Sequence, residues 1–174
     1  MFATIDLPNF YLQAAMRHQR ELRAKPVALI EEQDKKPVII QLNEPAEKAG
    51  IRKGMTPSQA LARSLEVVIK VRTRRQEKSI QEMLLHFAFT LSPFVEATAP
   101  GVCTIQFTDN RDLTAKVSRI IEHLAECEIS AQAGIAPTPD ASVLAAHLAR
   151  TVLEIDNARE FLAPLPIETL AMSV

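Results

Sequence analysis

Hydrophobic and polar positions along the chain follow two periods, and the switches between them predict an α+β protein. Phe2–Asp6 is an apolar run of strand length that ends on an acid. Tyr11, Ala15, His18 and Leu22 then recur at helical spacing and predict a helix over Asn9–Arg23. Asp6 is placed to cap that helix, and Pro8 suits its first turn. Pro26–Ile30 and Val38–Leu42 are β-branched-rich runs around the polar segment Glu31–Lys36, a hairpin pattern with Asp34, Lys35 and Lys36 at its tip. Pro45–Ala49, stopped by Gly50, and the stretch from Thr56-Pro57 to Arg63 read as two short helices. Leu65–Val71 reads as a strand.

The second half is more regular. Ile80, Met83, Leu84, Phe87 and Leu91 form the stripe of a long helix lying on a core. Phe94–Thr98 and Val102–Thr108 are strands joined by Ala99-Pro100-Gly101, where proline presets φ and glycine accepts a positive φ. Leu113, Val117, Ile120, Ile121 and Leu124 share one helical face, followed by a strand over Ile129–Ile135 and a helix around Ala141–Arg150. With residues 10–73 set aside, the order is βαββαβ, that of a ferredoxin-like sheet with helices on one face. The expected organisation is therefore a sheet domain from residues 1–9 and 74–163, a small α/β insert over 10–73, and a linker over 164–174.

Composition narrows the function classes. No apolar run approaches the roughly 18–20 residues of a membrane span, and MFATIDLPNF lacks the basic-then-apolar opening of a signal peptide. Cys103 and Cys127 stand in no metal-type or redox spacing and read as reduced packing residues of a cytoplasmic protein. His18, His86, His123 and His147 fall on separate predicted helices with no ligand spacing, which argues against zinc. No serine or cysteine pairs with a histidine in a nucleophilic arrangement. The net charge of −1 leaves nucleic acid open as a partner, so local clustering decides. Lys70, Arg72, Arg74, Arg75 and Lys78, with Arg52 and Lys53, are candidates for DNA phosphates, and equally for a solvated helix start. No aromatic residues interleave them, so base stacking is not indicated.

Several strings, in order, resemble the palm and fingers of a Y-family DNA polymerase of the UmuC/DinB (ImpB/MucB/SamB) kind. ATIDLPNFY resembles the family's first motif, and PVALIEE its next strand. Gly50-Ile51-Arg52-Lys53-Gly54-Met55 matches a G-(I/V)-x-x-G-M turn and is the most specific string. Ser92-Pro93-Phe94-Val95-Glu96 is similar to the segment before the catalytic hairpin, Gly134-Ile135-Ala136 to the last palm strand, and FLAPLPIETL to the joint toward a thumb. The resemblance implies a palm built on the βαββαβ sheet and fingers over 10–73.

The departures from the family pattern carry the functional expectation. Such polymerases hold two Mg²⁺ ions about 3.5–4 Å apart with carboxylates. Here Asp6 remains, while the other catalytic positions fall on Pro8, Gly101 and Val102. Asp6 itself has two readings, a relic metal ligand or a helix cap. The nucleotide-binding positions fall on Tyr11, Glu44, Glu47 and Val143, with acids where phosphate calls for a cation. Tyr11 matches the family's sugar-facing aromatic or packs locally. The sequence therefore predicts no catalytic residue, no metal or other cofactor, and a non-enzyme most similar to the ImuB-type proteins. That resemblance implies an adaptor in damage-induced, SOS-type translesion synthesis that binds DNA and no membrane. Contacts to a sliding clamp, a RecA-like accessory protein and a DnaE-type polymerase are expected through regions beyond residue 174. Two alternatives stand beside it: an active polymerase recruiting substitute carboxylates such as Glu96 or Asp109, and a ferredoxin-like binding module unrelated to DNA.

Overall fold

The computed structural model describes residues 1–31 and 36–166. The chain divides into two compact units, Met1–Pro8 with Gln81–Val174, and Asn9–Ile80.

In the first unit β1 (Phe2–Asp6) is the middle strand of a five-stranded sheet. It pairs antiparallel with β6 (Val102–Gln106) on one side and β7 (Gln132–Ala136) on the other. The outer strands are β5 (Val95–Ala99), beside β6, and β8 (Val152–Glu154), parallel to β7. A strand's side chains alternate between faces. Ala3 and Ile5, with their partners Ile105 and Cys103 on β6 and Ile135 and Ala133 on β7, make one fully buried apolar face. Helix α5 (Leu113–Glu126) packs along β7 and β8 and buries Leu113, Val117, Ile120, Ile121 and Leu124.

Thr4 and Asp6 occupy the opposite face, crossed by α6 (Pro139–Leu148). The helix comes this close because Gly134 has no Cβ: one placed there would collide with the backbone at Ser142 and Ala146. Ala141, Ala145 and Ala146 are the correspondingly small residues of α6. The buried hydroxyls of Thr104, Thr4 and Ser142 are satisfied in series, Thr104 to Thr4 at 3.1 Å and Thr4 to Ser142 at 2.7 Å, and the exposed Thr98 bonds Thr104 at 2.8 Å. The βαββαβ order is thus present, extended by α6, β8 and α7 (Ala158–Leu162). Neither β8 nor α7 had a counterpart in the sequence reading. Residues 167–174, and with them most of the expected linker, lie outside the described residues.

In the Asn9–Ile80 unit, β2 (Val27–Ile30) is central between β3 (Ile39–Leu42) and β4 (Val68–Val71). The hairpin of β2 and β3 is antiparallel, while β2 and β4 run parallel. Asp34 and Lys35 of the expected tip lie outside the described residues. Val27 and Leu29 bury with Leu12, Ala15 and Leu22 on one side of this sheet. Ala28 buries on the other with Ile39, Leu42, Ala46, Ile51, Ala60 and Val67. Helix α2 (Glu44–Lys48) is capped by Asn43, whose Oδ1 accepts from Ala46 N at 3.1 Å. Helix α3 (Pro57–Arg63) begins with a reciprocal Thr56–Gln59 capping box.

Two local expectations are corrected. The single helix over Asn9–Arg23 is α1 (Phe10–Met16) followed by a 3₁₀ turn at Arg20–Leu22. The break falls at His18, whose φ of 64° is left-handed, and Leu22 reaches the β2 core only beyond that turn. Asp6 does not cap α1, whose N-cap position is Asn9; the Asp6 carboxylate accepts from Gln132 instead. The long helix α4 runs Arg74–Leu91.

Candidate functional site

The end of β1 brings together the residues that the sequence alignment placed at the catalytic positions. Asp6 is the register partner of Val102 on β6 and of Gln132 on β7. Leu7 N donates to Gly101 O at 2.9 Å, which closes the β5–β6 turn over the strand end. Gly101, at φ 78°, makes that turn, and its N–H donates to Gln81 Oε1 at 2.7 Å. Pro8 follows directly and offers no side-chain oxygen.

The Asp6 side chain is 11% exposed. Gln132 Nε2 donates to its Oδ2 at 3.0 Å, and His147 Nδ1 lies 3.7 Å from the same oxygen. Burial pushes the Asp6 carboxyl above its ordinary value, while the charge of His147 and the Gln132 amide pull it partly back. His147 Nε2 and Gln81 Nε2 are buried without a hydrogen-bond partner among the described residues. Val143, one turn before His147 on α6, is half-buried.

A pair of Mg²⁺ ions asks for several hard oxygen ligands around a shared space. One carboxylate, already engaged by an amide and an imidazole, does not fit that demand. Among the described residues no three His, Cys, Asp or Glu side chains gather as a metal site. Substitution by Asp109 is contradicted by topology. It follows β6 at the end where Phe2 pairs with Gln106, the far end of β1 from Asp6, and it is bound to Arg111. Glu96 sits opposite Thr104, and Thr104 opposite Thr4, so it stands two strands and two residues away from Asp6.

The remaining candidates belong to the Asn9–Ile80 unit. Tyr11 packs edge-on against Phe10, and the Arg72 guanidinium lies 3.8 Å from its ring centroid. Arg72 also donates to Glu77 at 2.8 and 2.9 Å and to Glu31 at 2.7 Å, bonds that hold its pKa above the usual arginine range. Its charge is spent inside the unit. Arg52 donates to the carbonyls of Glu47 and Ile51, both at 2.7 Å, and so closes the end of α2. Gly50 and Gly54, both at positive φ, flank the buried Ile51, and Gly54 N donates to Ile39 O at 2.8 Å. The most specific string of the sequence is thus a turn that docks on β3. Glu44 and Glu47 are exposed on the first turn of α2, with Glu44 paired to Lys48 at 2.6 Å. Lys70 donates to Gln19 at 2.6 Å, while Lys53, Arg74, Arg75 and Lys78 are exposed.

Gln132 and His147 were missed by the sequence reading. Nothing in spacing links a histidine on the last palm-face helix to an acid 141 positions earlier.

A sheet of this order, with an acid at the end of its middle strand and a separate α/β unit inserted after that strand in sequence, has the architecture of a palm with fingers. The model of the impB/mucB/samB family matches residues 5–147, and the chain belongs to that family of Y-family DNA polymerases. Curated relatives include DNA polymerase IV of Pectobacterium atrosepticum, 25% identical over 175 residues, covering 95% of this chain and 50% of that protein. DNA polymerase IV of Shewanella pealeana is 26% identical over 172 residues, covering 94% and 48%. The chain thus spans about half the length of the relatives it matches. Among solved structures, the post-insertion binary complex of Dbh DNA polymerase superposes with a TM-score of 0.85 at 16% identity, covering 97% of this chain and 52% of that one. DinB from Sulfolobus solfataricus gives 0.81 at 15% identity, covering 97% and 52%. At these identities the structures speak for the fold.

One expectation is overturned here. The sequence reading made the chain a non-enzyme on the strength of Pro8, Gly101 and Val102, yet its relatives are named as polymerases. Side chains at three positions state what those positions offer. They do not carry the step to a protein without activity when the chain spans about half of each relative. No helix among the described residues is long and apolar enough to cross a membrane.

Proposed function

We propose that this chain is the palm-and-fingers body of a Y-family protein that works on primer-template DNA in error-prone bypass of DNA damage. The family match over residues 5–147 carries the reading. It is supported by the distribution of charge, since Asn9–Ile80 holds 15 Lys and Arg against 8 Asp and Glu, and the rest of the chain 5 against 13. A unit with an excess of cations suits contact with a polyanion. Arg74, Arg75, Lys78 and Lys53 are its exposed candidates for phosphate. In this role the protein works in the manner of the ImuB-type branch, alongside a sliding clamp, a RecA-like accessory protein and a DnaE-type polymerase. Engaging DNA in this way asks for no divalent ion at Asp6. Deleting the gene in its host tests the role: mutation frequency after DNA damage is expected to fall, and an unchanged frequency overturns it.

A second reading, favoured by the names of the relatives, is DNA-directed synthesis by the protein itself. Primer extension with Mg²⁺ and deoxynucleotides tests it. Incorporation abolished by Asp6→Ala supports it, and no incorporation by the unaltered protein overturns it.

A further inference from the structure

The Asn9–Ile80 unit contains a cleft of about 390 Å³ between the end of α1 and the start of α4. Its walls carry Arg17, His18, Thr73, Arg75, Gln76 and Ser79. No carboxylate is among its described lining residues. Arg72, two positions before the helix, is neutralised by Glu31 and Glu77, and Lys48 by Glu44. Arg75, by contrast, has no ion-pair partner among the described residues and is exposed at the cleft.

The donors are of the kind that phosphate oxygens take. Arg17 is half-buried, and its Nη1 donates to Ser79 Oγ at 3.4 Å, which holds the guanidinium at the cleft wall. A guanidinium presents a planar fork of N–H groups that matches two phosphate oxygens, and a fixed fork loses less entropy on binding. Thr73 and Ser79 add hydroxyls and Gln76 an amide, all able to donate to an oxyanion. His18 reaches the cleft because the chain turns through a left-handed φ of 64° after α1. Such a conformation is strained for a residue with a β-carbon, and strain of this kind gathers at functional sites.

We infer that this cleft binds a phosphate group of a nucleic-acid backbone. The inference rests on the proposed DNA-binding role and assigns it a seat in the fingers unit that does not involve Asp6. An isolated phosphate ion offers the same oxygens, so the test separates the two sources.

Binding of a fluorescein-labelled primer-template to the full chain is measured by anisotropy from 50 to 300 mM salt, for the unaltered protein, Arg17→Gln, Arg75→Gln, and Lys116→Gln on the acidic unit. Each cleft variant is expected to weaken binding about tenfold and to lower the slope of log affinity against log salt by about 1, while Lys116→Gln changes neither. Inorganic phosphate is titrated in parallel, with the Arg17 side-chain N–H followed by NMR. Because Arg17 also bonds Ser79, the exposed Arg75 variant decides if Arg17→Gln lowers the thermal midpoint. If the unaltered protein binds DNA and the Arg75 variant binds it equally well, the inference is wrong and the proposed function stands. Phosphate-induced shifts with unchanged DNA affinity likewise overturn it, in favour of free phosphate. No DNA binding by the unaltered protein brings down the proposed function and this inference with it.

Discussion

His147 Nδ1 on α6 lies 3.7 Å from Asp6 Oδ2 on β1, so the acid of the palm strand is held against an imidazole contributed from 141 residues later. Burial is the larger influence and raises the Asp6 carboxyl above its ordinary 3.8, with His147 and Gln132 opposing it. The fold therefore holds that proton to a higher pH than the unfolded chain does. The resulting stability is complete below 3.8 and is lost as pH rises through the folded value. His147→Ala removes an opposing influence, so the Asp6 carboxyl, followed by ¹³C NMR, is expected to titrate at still higher pH. An unmoved titration contradicts the pairing.

Gly134 is where α6 presses on the sheet. Alanine there drives its Cβ into backbone at Ser142 and Ala146, so Gly134→Ala is expected to cost about 3 kcal/mol in urea unfolding. A loss under about 0.5 kcal/mol would mean that the helix stands further off.

The two cysteines differ in environment. Burial pushes the Cys103 thiol up to about 12, whereas Cys127 is half-buried at the end of α5. At pH 8 a disulfide reagent is expected to modify Cys127 alone in the folded protein and both thiols in guanidinium. Rapid labelling of Cys103 under native conditions would be inconsistent with its place on the buried face of β6.

Arg72 ties Tyr11 to Glu31 and Glu77. Arg72→Met keeps the stem and deletes the charge, which leaves Glu77 with its side chain 12% exposed and unpaired. A loss of about 2–3 kcal/mol is expected in urea unfolding, because the stranded carboxylate carries most of the penalty. A change within about 0.5 kcal/mol would show that the network is solvated.

What the sequence revealed and concealed divides by range. Some local chemistry was legible, since Ala99-Pro100-Gly101 makes the β5–β6 turn and Thr56-Pro57 opens α3, but the cap assigned to Asp6 was not, because Asn9 takes that position. Strand and helix order as far as α6 followed from periodicity, while β8 and α7 did not. The break at His18 was not legible, since Tyr11, Ala15, His18 and Leu22 keep helical spacing across it and Leu22 is buried beyond it. Nor were the parallel pairings of β4 and β8, which depend on distant partners. The basic run looked uniform in sequence. Only in three dimensions is Arg72 seen to be engaged by local carboxylates and Arg52, though exposed, by local carbonyls, while Arg74, Arg75 and Lys78 are exposed as well. The site around Asp6 was half legible, with its strand-end acid and apolar neighbours readable but Gln132 and His147 hidden by distance.

This polymerase-family body is proposed to hold DNA through its basic Asn9–Ile80 unit. The most direct measurement is the affinity of the full chain for a primer-template as a function of salt. Binding at 50 mM salt that weakens steeply by 200 mM, as release of several counterions requires, is the predicted result. Affinity that is undetectable at 50 mM, or insensitive to salt, contradicts it.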